Sequence, residues 1–340
     1  METKPLRYGV LGTGNIARQF AEGVAGSRRS VVSAVASRSI ENADAFGDAH
    51  GVANRHPTYD ALLDDDTVDA VYISLPNTLH HDWAVRCLGA GKHVLCEKPI
   101  ASTAAEAEAM FDAAERAGRV LMEAFMYRMH PLTGAVVDRV RGGAIGRVKL
   151  IRTSFCYRTH KTGPADNIRF DPKLAGGALM DIGCYCISFA RLIADAEPTS
   201  IRVAGHVHDT GVDDYAAGTL GFADGTVATF ACGMTLQADN AALICGEDGW
   251  VEVPVPWKPP VDGAVAYVKG QTPPRQDHAD APPPGPEALR VDAPAPLYGM
   301  EADAFAAVVL DGAELPVTRA DTVGNMRVLD EARRQVGLAY

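Results

Sequence analysis

The stretch Gly12-Thr13-Gly14-Asn15-Ile16-Ala17 constrains this chain more than any other. It follows the apolar run Tyr8-Gly9-Val10-Leu11 directly and leads into Arg18-Gln19-Phe20-Ala21. A buried strand must therefore turn sharply into a helix. The spacing is G-x-G-x-x-A. Gly12 permits the tight turn, Gly14 lets a pyrophosphate approach the backbone, and the small Ala17 lets the helix lie close on its strand. The free amides of the first helical turn then face phosphate oxygens. Thr13, Asn15 and Ile16 belong to the same turn and are expected to contact a dinucleotide with it.

Residues 31–36 supply a second strand, which ends in Ser37-Arg38-Ser39. An acid about twenty residues past the glycines would accept from the ribose 2′-hydroxyl of NAD. None stands here. A hydroxyl and a guanidinium suit a 2′-phosphate instead, so Ser37 and Arg38 predict NADP. The plainer alternative is that Ser39 caps the next helix and Arg38 is solvated.

Further strands at 69–74, 94–96 and 120–122 alternate with helices at 40–50, 59–63, 80–90 and 103–117. That alternation predicts an α/β chain with a parallel doubly wound sheet. Ligands of such sheets bind beyond the carboxyl ends of the strands. Leu75, Pro76, Asn77 and His80 should line that crevice, as should Glu97-Lys98-Pro99, where Val94-Leu95-Cys96 runs into a charged pair and a proline. Taken alone, that tripeptide is a surface ion pair before a helix start. At a strand end it aims a lysine at the ligand.

The pattern changes after residue 123, which divides a dinucleotide domain (1–123) from a second domain (124–340). Long strands at 147–157, 201–208, 214–222, 226–234, 242–245 and 250–253 predict a large, mostly antiparallel sheet with one face on helices and the other open. Residues 254–296, rich in proline, read as a surface excursion with two short edge strands and no catalytic role. Helices at 301–310 and 319–336 close the chain and are free to pack back on the first domain. Within this half, Gly176-Gly177 leads into a helix carrying Asp181 and Tyr185 four residues apart, hence on one face. A carboxylate beside a phenol is either a satisfied core pair or a reactive one.

A net charge of −11 argues against nucleic acid and anionic membranes as partners. No apolar run of about 20 residues is evident, and the first residues read as no export signal. The seven cysteines are scattered and unpaired by spacing, which favours reduced thiols, no structural metal and a cytoplasmic location.

Together, Gly12 to Ala17, Glu97-Lys98-Pro99 and Gly176-Gly177-Ala178-Leu179-Met180-Asp181-Ile182-Gly183 resemble the Gfo/Idh/MocA family (glucose–fructose oxidoreductase/inositol dehydrogenase), over nearly the whole chain. Many members close the last motif with histidine. Tyr185 stands there in this chain, as in the branch of NADP-dependent D-xylose (aldose) dehydrogenases and dimeric dihydrodiol dehydrogenases. Glu123-Ala124-Phe125-Met126-Tyr127-Arg128 and the segment from Asp166 to Pro172 look like that branch too. The resemblance implies hydride transfer between a sugar or polyol carbon and NADP. Tyr185 would be general acid/base, with Lys98 lowering its pKa by proximity and Asp181 orienting substrate or lysine. It further implies Arg128 near the nicotinamide, Asn167 and Arg169 near the sugar, and a homodimer or homotetramer through the open sheet. Ketosugar or dicarbonyl reduction, exchange between two sugars on retained NADP, and a non-catalytic NADP sensor are the alternatives.

Overall fold

The computed structural model describes residues 4–270 and 285–338. Its first part alternates β1 (Leu6–Leu11), α1 (Asn15–Val24), β2 (Ser30–Ala36), α2 (Ile40–His50), β3 (Asn54–His56), α3 (Tyr59–Leu63), β4 (Ala70–Ile73), α4 (His80–Gly89), β5 (His93–Glu97), α5 (Ala104–Ala117) and β6 (Leu121–Ala124). The strands form one parallel sheet in the order β3-β2-β1-β4-β5-β6. β3 was not foreseen. It is three residues long and half-buried throughout, too short to leave a periodic signal. The chain reverses direction between β1 and β4, so the crevice opens where these two strands end. Apolar side chains fill both faces of the sheet, and Phe20 of α1 stacks on Tyr72 of β4 with centroids 3.7 Å apart.

The helix ends follow local chemistry. Ser39, Thr58 and Thr103 accept amide hydrogen bonds at the starts of α2, α3 and α5, and Gly51 and Gly118 take the left-handed conformation that ends α2 and α5. Ser39 therefore caps α2, as the plainer alternative held, while Arg38 is left to the cavity described below.

The second part comprises α6 (Pro131–Arg141), β7 (Val148–Cys156), α7 (Cys184–Ala194), β8 (Ser200–Val207), β9 (Asp213–Gly221), β10 (Val227–Gly233), β11 (Ala242–Gly246), β12 (Trp250–Val253), β13 (Ala264–Lys269), β14 (Glu287–Val291), α8 (Leu297–Asp311) and α9 (Arg319–Val336). Eight strands make one sheet in the order β14-β13-β12-β11-β7-β10-β9-β8, antiparallel except where β7 meets β10. Of the two edge strands expected in the proline-rich stretch, β14 lies at the edge of the sheet, whereas β13 lies inside it, paired with both β12 and β14. Pro273-Pro274 and Pro282-Pro283-Pro284 of that stretch lie outside the described residues. α7 packs on β7 and β10. On the opposite face Val207, Tyr215 and Val227 are exposed.

The last two helices return to the first sheet. Tyr8 Oη donates to the Ala302 carbonyl at 2.8 Å, joining β1 to α8. Ala104 N donates to Asp330 Oδ2 at 2.9 Å, joining α5 to α9.

One expectation needs correction. The helical run Pro172–Ala194 is apolar and long enough to cross a membrane by composition, although no such run was anticipated. Its most apolar window is 83% buried inside the fold. It is the core helix under the second sheet, which is why its polar residues are few. All seven cysteines are free, six of them buried.

Candidate active site

One cavity of about 1080 Å³ runs from the glycine turn, past Ser37 and Arg38, to Lys98, Asp181 and Tyr185. At its first end the backbone does the work. Gly12 has φ +96°, and a Cβ there would meet Leu75 Cδ2 at 3.2 Å and the Ser74 carbonyl at 3.3 Å. Only glycine makes that turn without strain. At Gly14 a Cβ would meet nothing within 4 Å, and no side chain caps α1. Open space before uncapped amides is what a phosphate group fills. Thr13, Asn15, Ile16, Ser37, Arg38, Ser39, Asn42 and Tyr59 line this end. The residues present therefore fit a phosphorylated dinucleotide.

The other end is built from side chains on four separate segments. Lys98 leaves β5 just before Pro99, through a cis peptide bond, and its Nζ donates to the Asp181 carbonyl at 2.7 Å. The same nitrogen lies 3.4 Å from Asp181 Oδ1. Asp181 Oδ2 accepts from Tyr157 Oη at 2.8 Å and from Arg169 Nε at 2.8 Å. Burial alone would raise Asp181, but Lys98, Arg169 and the Tyr157 hydroxyl outweigh it and hold the carboxyl at about 2. Burial works against the Lys98 ammonium too, yet Asp181 keeps it above the usual lysine value. This is a firmly ionised pair at neutral pH.

Asp181 sits in a wide helical turn, Leu179–Gly183, and Tyr185 in the regular helix that follows. The two are joined through Lys98, whose Nζ lies 4.9 Å over the Tyr185 ring. That is a cation–π contact with the ring face. The Tyr185 hydroxyl instead points to Met126 Sδ at 3.2 Å. Rings of Phe125, Tyr127, Phe155 and Trp257 surround the Tyr185 ring, with centroids 5.4–6.0 Å from its own. Burial pushes the phenol well above its usual value. The expectation that Lys98 draws Tyr185 down toward working pH is therefore corrected: the aromatic cage removes water from the hydroxyl, and the ammonium is placed over the ring.

Arg128 is placed differently from its expectation, while His80 and Asn77 line the cavity as expected and also hydrogen-bond to backbone carbonyls. Arg128 is absent from the cavity lining. It donates to the Pro316 carbonyl at 3.0 Å and faces Asp321 at 3.5 Å, tying down the start of α9. His80 touches the cavity but is 1% exposed, and both ring nitrogens face backbone carbonyls, of Pro99 at 2.9 Å and Leu75 at 2.8 Å. It ties two strand ends together. Asn77 lines the crevice while its amide donates to the Ala175 carbonyl at 2.8 Å, clasping the two halves of the chain. Leu75, Pro76, Glu97, Asn167 and Arg169 all line the cavity. Glu97 is buried, accepts from Tyr72 and is pushed up by burial despite Lys98 beside it.

Sequence reasoning missed Tyr157, Lys258, Tyr298 and Trp257. Tyr157 follows the end of β7, where an aromatic residue carries no special signal. Trp257 and Lys258 come from the stretch to which no role was given. Trp257 packs on Tyr185, and Lys258 lines the cavity.

Residues 6–125 match the model of an oxidoreductase family with an NAD-binding Rossmann fold, and residues 134–252 match the GFO/IDH/MocA C-terminal domain. A D-xylose 1-dehydrogenase (NADP(+)) of Haloferax volcanii is 34% identical over 96% of this chain and 95% of its own. A 3-ketoreductase of Actinomadura kijaniata, solved with TDP-benzene and NADP, superposes with a TM-score of 0.82 at 31% identity, covering 97% of each chain. An aldose-aldose oxidoreductase of Caulobacter crescentus, solved with glycerol, gives 0.86 at 29% identity over 98% of each chain. By these matches at both ends, over the G-x-G-x-x-A turn and the Lys98–Asp181–Tyr185 centre alike, the chain belongs to the Gfo/Idh/MocA family of oxidoreductases.

Proposed function

We propose that this chain is an NADP-dependent oxidoreductase that moves a hydride between a sugar carbon bearing oxygen and the nicotinamide. The observation that carries the reading is the single cavity joining a phosphate-shaped backbone turn and Arg38 to the Lys98–Asp181–Tyr185 cluster. The dehydrogenase named above is described as NADP(+)-dependent, and the ketoreductase was solved with NADP bound.

In this reading Gly12, Gly14 and the α1 amides hold the pyrophosphate, and Ser37 and Arg38 hold the 2′-phosphate. The bound nicotinamide supplies the hydride acceptor or donor. Lys98 points its remaining N–H at the reacting oxygen, its ammonium kept charged by Asp181. Asp181 is itself held by Tyr157 and Arg169, so the lysine has one orientation. Tyr185 moves the proton. With its phenol pushed up by burial, it stays protonated at neutral pH, although it is a weaker acid than a free tyrosine.

That last point favours a second reading of direction, carbonyl reduction with NADPH, in which a protonated phenol is the form required. The test is an assay in both directions over a panel of aldoses, polyols and ketosugars with each cofactor. Growth of reduced-nicotinamide absorbance with an aldose supports dehydrogenation. Consumption of NADPH by ketosugars alone supports reduction. Retained NADP(H) in the purified protein, turning over only when two sugars are supplied together, marks an exchanger. No turnover with any pair removes the reading.

The uncovered face of the eight-stranded sheet, with Val207, Tyr215 and Val227 exposed, supports self-association into a dimer or tetramer. The unpaired thiols support a reducing, cytoplasmic compartment. Light scattering that reports a monomer at micromolar concentration would dismiss the first.

A further inference from the structure

The cavity has more positive charge at its reacting end than its own acids use. Asp181 is ionised, and its two oxygens are taken by Lys98, Arg169 and Tyr157. Glu97, the other acid there, is buried and disfavoured as an anion. Three cations therefore face one firm anion, and two of them keep donors in reserve. Arg169 spends Nε on Asp181, while its terminal nitrogens make no hydrogen bond or ion pair among the described residues. Its side chain is 41% exposed and lines the cavity. Lys258 lines the same cavity at its exposed rim, and its Nζ likewise has no partner among the described residues. Burial and then the Lys98 charge push the Lys258 ammonium down, with Asp181 and Glu97 acting the other way and Arg169 again downward. Lys258 thus feels the reacting end of the cavity. Arg38, lining the glycine-turn end, sits by Tyr59.

A neutral sugar filling this space would strip water from a guanidinium and an ammonium without replacing the lost partners, which is costly. An anion would be met by a planar fork and a point charge together. We propose that the substrate of this site carries an anionic group on its sugar, a carboxylate or a phosphate, held between Arg169 and Lys258. This rests on the sugar oxidoreductase reading for its reaction but not for its binding.

The experiment is calorimetric binding to the NADP-loaded enzyme at low salt, alongside kcat/KM for the same compounds. D-Glucose, D-glucuronate and D-glucose 6-phosphate share a ring and differ in charge, and thymidine diphosphate supplies a nucleotidyl source. The expected result is that at least one anionic probe binds about tenfold tighter than glucose or more, since hydrogen bonds to ionised groups are stronger than neutral ones. The preference should shrink with added salt and collapse at least tenfold in Lys258→Gln, with Lys258→Arg restoring most of it. The arm that wins identifies carboxylate, phosphate monoester or nucleotide diphosphate. Equal or weaker binding of every anion, or a preference unchanged in Lys258→Gln, overturns the proposal. A preference lost only because Lys258→Gln weakens NADP itself assigns the lysine to the cofactor and overturns it too. Tight anion binding with no turnover in either direction removes the oxidoreductase reading and leaves the anion site standing. Turnover of neutral sugars only does the reverse.

Discussion

The two ends of the cavity are built by different means. The glycine-turn end is local: a strand end, a turn and a helix start within six residues, with Arg38 one strand away. Its work is done by backbone amides and by the absence of side chains. The reacting end gathers Lys98, Tyr157, Arg169, Asp181, Tyr185 and Lys258 from segments up to 160 positions apart in the sequence. Its work is done by charged side chains held in place by one another, with Lys98 and Arg169 gathered on Asp181. A local site survives as a pattern in one stretch of sequence. An assembled one survives only as long as the whole fold holds its parts in register, and its electrostatics belong to the fold rather than to any motif.

The sharpest way to break this contrast is at the reacting end. Tyr185→Phe and Lys98→Met should each slow turnover by about 10²–10⁴, the usual contribution of a general acid or base, while NADP affinity measured by fluorescence titration stays within a few-fold. Near-normal turnover in Tyr185→Phe would mean that the caged phenol is core and that another group moves the proton. The high position of Tyr185 adds a direction. Oxidation needs the phenolate and should keep accelerating as pH rises through the alkaline range, whereas reduction should not.

Buried acids also separate the two ends. Glu123, at the end of β6, accepts from Ile100 N at 3.0 Å beside the Lys98 segment and is fully buried. Burial raises it from 4.5 to about 7. Its folded-state value lies above its unfolded one, so the stability it contributes is full below pH 4.5 and is lost as pH rises to 7. The loss is on the order of 3 kcal/mol at 1.36 kcal/mol per unit. Glu123→Gln should flatten the fall in denaturation midpoint over that window, read by chemical unfolding at a series of pH values. An unchanged slope would move the effect to another acid, with Asp213, also pushed to about 7, next in line.

The glycine-turn end should respond through affinity alone. Arg38→Ala should weaken NADP by about 10- to 100-fold and NAD hardly at all, the range expected of charge-assisted contacts to a phosphate. Equal losses for both cofactors would refute the 2′-phosphate assignment. Gly14→Ala is the cleaner probe, because a Cβ there meets no protein atom. The fold and its melting temperature should be unchanged while NADP binding falls about tenfold, the methyl occupying space kept for the ligand.

The same contrast explains what the sequence allowed to be read. The parallel sheet followed from runs such as Val94-Leu95-Cys96, whose burial on both faces needs no partner information. α2 and α3 stand at residues 40–50 and 59–63 as expected, and the structure shows why: Ser39 and Thr58 cap them and Gly51 ends α2. Lys98 could be placed in the crevice because a strand end has a known relation to its ligand. The protonation behaviour of Tyr185 was illegible. It depends on Phe125, Phe155 and Trp257 packing round the Tyr185 ring from three different segments, with Met126 at its hydroxyl. Lys258 was illegible for a related reason. A lysine among prolines reads as solvated surface, and only the position of the segment after β12 brings it to the cavity rim.

Arg128 gives the smallest effect and the best control. By resemblance it belongs at the nicotinamide, whereas its guanidinium is spent on the Pro316 carbonyl and Asp321 near the start of α9. Arg128→Ala removes one hydrogen bond and one partly buried ion pair, a loss of about 1–3 kcal/mol. It should lower the melting temperature by a few degrees and leave kcat, KM and the NADP dissociation constant within about threefold of the parent, under 1 kcal/mol each. Arg128→Lys should recover only part of the stability, because a single ammonium cannot reproduce the two-ended contact of the guanidinium. If instead kcat falls while the melting temperature holds, α9 positions the cavity through its first turn, and the reacting end extends one layer further into the fold than its lining residues show.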